Sequence, residues 1–250
     1  MSDKIAKQSN DIAVPKGYAM EIDKSDVRIP SIVLWQKISD MSEFEGENVK
    51  AGDFVNPVTG EIYGNSFECV VVSYYTTARV FGDVGESGRR EVLKFSRDSK
   101  HWEDGSLITP QEFAWKEDGS HAVKSYHYLV LIKDSIMPAM ITFKGASAKF
   151  AKNLNANLMY IRPSWRSYFK ISSAVEEKGG NKYHVIQAKA QPKSAASDAD
   201  VSTATQLWES SRDFVTSPEM EKDNEFGKDM KGKKERLPVD EGSLEEIFDK

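Results

Sequence analysis

The chain carries one cysteine, Cys69, in 250 residues. A single thiol excludes an internal disulfide framework and any zinc module built on several cysteines. Long apolar runs are also missing. Val70-Val71-Val72 and Tyr128-Leu129-Val130-Leu131-Ile132 are far too short to cross a bilayer as helices, so no membrane partner is expected. Met1 to Asn10 is polar and lacks the apolar core of an export signal, which predicts a cytoplasmic protein. The four histidines, His101, His121, His127 and His184, are scattered, and none stands at metal-ligand spacing. Gly82, Gly85 and Gly88 are not followed by Lys-Ser/Thr, so they read as a turn and not as a phosphate loop. Cys69 lies in an apolar run and reads as a buried structural thiol. The expectation is a protein without cofactor or catalytic centre.

One further absence is informative. Net charge is −5, which by itself argues against a nucleic-acid partner. Yet no acidic residue occurs between Asp134 and Glu176, where Lys144, Lys149, Lys152, Arg162, Arg166 and Lys170 lie. Residues 126–195 carry +8, residues 29–125 carry −6 and residues 196–250 carry −7. A surface that serves only solubility mixes both signs. An acid-free basic stretch points to an anionic partner.

Apolar periodicity predicts a strand-rich domain over 28–191, after a polar leader at 1–27. Ile29 to Trp35 reads as a strand opened by Pro30. Gly52 to Gly64 reads as a hairpin around Asn56-Pro57-Val58-Thr59-Gly60. Phe67 to Tyr75 is a β-branched and aromatic strand that Thr76 to Val80 continues. In strict alternation Phe67, Cys69, Val71, Ser73 and Tyr75 share one face, and Glu68, Val70, Val72 and Tyr74 the other. Glu91 to Phe95 reads as a further strand, and about 96–124 as a polar insertion holding Trp102, Phe113 and Trp115. Tyr126 to Lys133 and Ala139 to Lys144 read as strands.

Phe150, Leu154 and Leu158 then recur every four residues, a helical stripe over 147–159 that Ser147 could cap. At about 100° per residue, Lys149 and Lys152 fall together on its solvent side. Trp165 to Ser172 and Lys182 to Lys189 read as strands around Glu177-Lys178-Gly179-Gly180-Asn181. Pro192 to Thr205 reads as linker. The spacing of Val201, Ala204, Leu207, Trp208 and Ser211 predicts a short helix over 201–215, and charge predicts disorder beyond it.

On the strand after Trp165, Arg166, Tyr168 and Lys170 share one face: basic, aromatic, basic. Unpaired bases stack on such rings while flanking cations meet the phosphates. Tyr74 and Arg79 could extend this face. The competing reading is that Tyr168 covers a neighbouring strand. A mainly β barrel of four or five strands with one intervening helix, the oligonucleotide-binding (OB) fold, most often presents such a face. The acidic C-terminal tail, with Glu245, Glu246, Ile247, Phe248 and Asp249, could occupy the chain's own basic groove or dock on a partner. An alternative reading is a protein-interaction module, such as a phage inhibitor that imitates DNA toward a host enzyme. A metal-dependent nuclease would rest on Asp134 and Glu176-Glu177-Lys178, which the glycines place in a turn. The sequence leaves a homo-oligomer open.

The run Pro138 to Lys149, the helix after it, and Trp165…Phe169-Lys170-Ile171 with its Gly-Gly hairpin resemble phage-encoded single-stranded DNA-binding proteins of replication and recombination modules. Ile29-Pro30…Leu34-Trp35-Gln36 and Gly52-Asp53-Phe54…Thr59-Gly60-Glu61 fit the same resemblance, which spans roughly 28–190. It implies an OB-type fold, coating of single strands, and a tail that recruits replication or recombination proteins. The tail departs from the bacterial pattern, which ends in Pro-Phe; here Asp249-Lys250 follows Phe248.

Overall fold

A computed structural model describes residues 29–36, 49–84, 90–114, 121–135, 137–189 and 192–211. The predicted leader, the acidic residues Glu43, Glu45 and Glu47, Trp115 and the acidic tail lie outside these residues.

The chain is mainly β, a sheet curled into a half-barrel with one helix between its strands, as the sequence leads one to expect. The strands are β1 (Ser31–Leu34), β2 (Phe54–Asn56), β3 (Glu61–Gly64), β4 (Ser66–Val84), β5 (Arg90–Ser96), β6 (Ala122–Ile132), β7 (Pro138–Phe143), β8 (Ser167–Lys178), β9 (Asn181–Ala188) and β10 (Ser194–Ala195). Helix α1 (Ala148–Leu158) joins β7 to β8, and α2 (Asp198–Ser211) follows β10. The main path runs β10-β8-β4-β6-β7-β1-β2-β3, with β5 on β4 and β9 on β8. Apart from β5 and the 97–114 segment inserted after β4, the elements β4, β6, β7, α1, β8 and β9 come in the order three strands, a helix and two strands, with β4 hydrogen-bonded to both β6 and β8. This is the OB-type arrangement.

β1 lies parallel to β7 and carries the curl toward β9. The seam there is a side chain: Gln36 Nε2 donates to the His184 carbonyl at 2.8 Å, and His184 N donates to Gln36 Oε1 at 3.1 Å. Gly52 supports the same seam. Its φ is +95°, and a Cβ on it would stand 2.5 Å from His184 Nδ1. Only glycine meets both conditions.

The inner face of the curl holds the main core, including Phe54, Cys69, Val71, Tyr128, Ile141, Phe143, Phe169 and Ile171. α1 packs into it through Ala151 and Leu154, with Phe150 and Leu158 partly buried beside them. The predicted stripe is therefore the packing face. Ser147 does not cap α1; its hydroxyl accepts from Ile186 N at 2.9 Å and so ties the helix start to β9. Residues 97–114 are more than a polar loop. Trp102 packs with Ala78 and Ala122 as a small separate core, flanked by Ile108 and Phe113. β6 also begins at Ala122, earlier than Tyr126.

Two readings are corrected on the outer face. Residues 192–205 are not linker, because Ser194 and Ala195 pair with β8 and α2 starts at Asp198. Tyr168 is not free to stack on a base. It shares the outer face with Lys170, as alternation requires, but α2 covers it and leaves 4% of it exposed. Its hydroxyl donates to Asp200, and Ser197 N donates back to it at 3.2 Å. The physical reason is that this face is apolar around the tyrosine: Val70, Val72, Leu129 and Leu131 need a cover, and Ala204 and Leu207 supply it. Replacing Tyr168 with Ala is expected to lower unfolding free energy by about 3–5 kcal/mol, the range for losing a buried aromatic. Urea denaturation followed by tryptophan fluorescence measures it. A loss under about 1 kcal/mol would contradict the buried placement.

Candidate nucleic-acid interface

A one-residue bulge in β4 decides which side chains reach which face. Val71 is opposite Val130 and Ser73 is opposite Leu129, so Val72 is extra. A bulge of this kind exchanges the two faces beyond it. Tyr75 therefore joins Val70 and Val72 on the outer face, and Tyr74 joins Cys69 and Val71 on the inner one. Strict alternation predicts the opposite for both tyrosines.

Beyond the cover of α2, the outer face opens into a cleft of about 510 Å³. Its floor is Tyr75 from β4, Ser125 and His127 from β6, and Met140 and Thr142 from β7. β1 and β9 form the far wall. Tyr75 and His127 are direct cross-strand partners, and their rings lie 4.6 Å apart at 15°. The imidazole is fixed at both nitrogens: Nε2 lies 2.9 Å from Thr77 Oγ1, and Nδ1 lies 2.9 Å from Thr142 Oγ1. A neutral ring donates at one nitrogen and accepts at the other, and each hydroxyl can turn to match.

Two cations stand at the cleft, Arg79 and Lys144. The Arg79 guanidinium lies 5.2 Å from the centre of the Phe95 ring on β5. Lys144 is exposed as a residue, yet the cleft around it removes part of the water from its charge. That desolvation first, and the Arg79 charge second, push its pKa below the ordinary lysine value. No carboxylate lines the cleft among the described residues. The arrangement is a stacked Tyr75–His127 pair, with Tyr75 its more exposed ring, beside two mutually repelling positive charges.

The remaining expected site residues are dispersed. Lys149 and Lys152 do share the solvent side of α1, but Lys149 is held by Glu176 at 2.5 Å. Glu176, Glu177 and Lys178 form the end of β8 rather than a turn. Arg162 is exposed beyond α1, and Arg166 is exposed just before β8. Lys170 is half-buried opposite Glu68, a carboxylate that also receives Lys133 and Lys193. Those hydrogen bonds, led by the one from Lys193, hold the Glu68 pKa below its usual value against the effect of burial. Tyr74 is 40% exposed on the inner face, on the other side of the sheet from Arg79. Residues 245–249 lie outside the described residues. Sequence reasoning did not single out His127, Thr142, Phe95 or Lys124. Their signal is strand pairing, of β4 with β5 and β6 and of β6 with β7, which register alone reveals. Among the described residues no three His, Cys, Asp or Glu side chains are grouped to hold a metal ion.

Because Thr77 is buried, removing its ring partner has a definite cost. His127→Phe keeps the aromatic stack on Tyr75 but strands the Thr77 hydroxyl, at an expected cost of about 1–3 kcal/mol. Chemical denaturation of the two proteins measures the difference; equal stabilities would contradict the pinned imidazole.

Residues 11–216 match the model of a family described as Pam3 phage gp34-like protein. No curated protein and no solved structure matches the chain.

Proposed function

The chain belongs to the Pam3 phage gp34-like family, and from that premise we propose that it binds single-stranded DNA without catalysing a reaction. The observation that carries this reading is the cleft: Arg79 and Lys144 set beside the Tyr75–His127 stack, with no carboxylate among its described lining residues. A phosphate bound between Arg79 and Lys144 relieves their repulsion, and a base stacked against Tyr75, the more exposed ring of the pair, contributes about 1–3 kcal/mol. The position fits as well. In OB folds the second and third barrel strands form the oligonucleotide face, and here β6 and β7 hold those places. This second argument is an analogy of fold, and it ranks below the chemistry of the cleft.

The acidic segment 240–250 completes the proposal. Five of its residues are acidic and one is basic, with Leu244, Ile247 and Phe248 as its apolar members. A polyanion tethered to the chain competes with DNA for the cationic cleft, and once DNA displaces it, it is free to meet replication or recombination proteins.

Titration of a labelled oligothymidylate against the full chain tests the reading. Binding is expected to weaken as salt rises. In the double variant Arg79→Gln and Lys144→Gln, the slope of log affinity on log salt should fall by about 1.4, from about 0.7 per phosphate contact. Absence of binding at low salt overturns the proposal. Deleting residues 240–250 should tighten binding at low salt, and an unchanged affinity would remove the competitor role.

A further inference from the structure

Cations and aromatic rings also gather on the opposite face of the sheet, at the same level as the cleft. Tyr74 lies on the inner face with its ring stacked on Tyr126, centroids 6.5 Å apart, and tilted against Tyr128 at 5.0 Å. The Lys124 ammonium stands 5.5 Å from the Tyr126 ring centre. Lys152 on α1 and Lys100 in the 97–114 segment are exposed and close enough to repel it. Partial burial lowers the Lys124 pKa, and Lys152 and then Lys100 lower it further. The neighbouring carboxylate is Asp98, already engaged by His101 Nδ1 at 2.8 Å and by the backbone N–H groups of Lys100 and His101.

Strand register connects this patch to the cleft. β7 ends at Phe143, which pairs with Tyr126. Continuing outward, Lys144 leaves on the cleft side, in alternation with the inward Phe143. Lys124 leaves on the inner side, two residues from the inward Tyr126 and so on the same face. The two lysines therefore flank the point where β7 stops. What lies at that rim is Gly145 and Ala146, both exposed, with φ +55° at the glycine and open space around the place a Cβ would take. A rim without long side chains leaves room for a polymer to cross.

We propose that Tyr74, Lys124, Lys152 and Lys100 form a second contact site for the same nucleic-acid strand, reached from the cleft by crossing the Gly145–Ala146 rim. The strand then wraps the end of β7 instead of lying along one face. The inference rests on the cleft's binding single strands, and it adds a path and a minimum length: a short oligonucleotide fills the cleft alone, and a longer one engages both sites.

Binding of oligothymidylates of about 4 and about 16 nucleotides, the span of OB-type site sizes, separates the possibilities. The full chain is compared with the double variant Lys124→Gln and Lys152→Gln. These side chains are at least partly solvent-exposed, and thermal unfolding checks that the fold is kept. The expected result is unchanged affinity for the short strand. For the long strand the salt slope should be smaller by about 1.4, so that the fall in affinity over a fourfold rise in salt is about sevenfold less. Equal behaviour of variant and wild type with both lengths overturns the wrap and leaves the cleft reading standing. Loss of short-strand binding in the variant overturns the separation into two sites. If the wild type binds neither length, the cleft reading fails and the wrap fails with it.

Discussion

The 19-residue strand β4 has to serve three partners, and the sheet's shape follows from how it does so. Its first residues pair with β8, most of its length pairs with β6, and its far end pairs with β5. A flat strand of that length cannot keep one face toward a closed core and also run on past the core's end. The extra residue at Val72 resolves the conflict by bending the strand and exchanging its faces. Before the bulge, Cys69 and Val71 feed the inner core; after it, Tyr75 and Arg79 point outward into the cleft. Without that exchange Tyr75 would face α1, and its stack with His127 would not form.

The rest of the outer face is arranged around the same strand. Near the β8 end it is apolar and roofed by α2, with the Tyr168–Asp200 hydrogen bond pairing two polar groups that are buried there. Toward the β5 end the roof stops and polar side chains take over: Thr77, Ser125, His127 and Thr142. Burying a hydroxyl or an imidazole without a partner is costly, and here both ring nitrogens of His127 have one. The result is a rigid floor whose aromatic surface is positioned before any ligand arrives. Pre-positioning of this kind lowers the entropy that binding has to overcome.

Charge follows the tertiary pairing rather than the chain. The acid-free stretch from Asp134 to Glu176 does supply Lys144 and Lys152, but Glu176 holds Lys149, and Lys170 stands in register with Glu68, the ion-pair partner of Lys133 and Lys193. Arg79 and Lys124, from the acidic part of the sequence, stand beside Lys144 and Lys152 instead. Counting charge along the chain located the basic segment correctly and its partners incorrectly, because an antiparallel sheet brings together residues tens of positions apart.

What the sequence determined by itself is the set of local elements. The two-residue period marked β4, β6, β7, β8 and β9, the four-residue recurrence of Phe150, Leu154 and Leu158 marked α1, and Asn-Pro-Val-Thr-Gly and Lys-Gly-Gly-Asn marked turns. Each depends only on neighbours in the chain, and together they sufficed for a barrel-like β fold with one intervening helix. The tertiary structure alone decided which face each strand presented, that α2 would cover Tyr168, and that Arg79 would meet Lys144. The physical reason is register: a single unpaired residue at Val72 leaves no mark in composition, yet it exchanges the two faces of the strand after it.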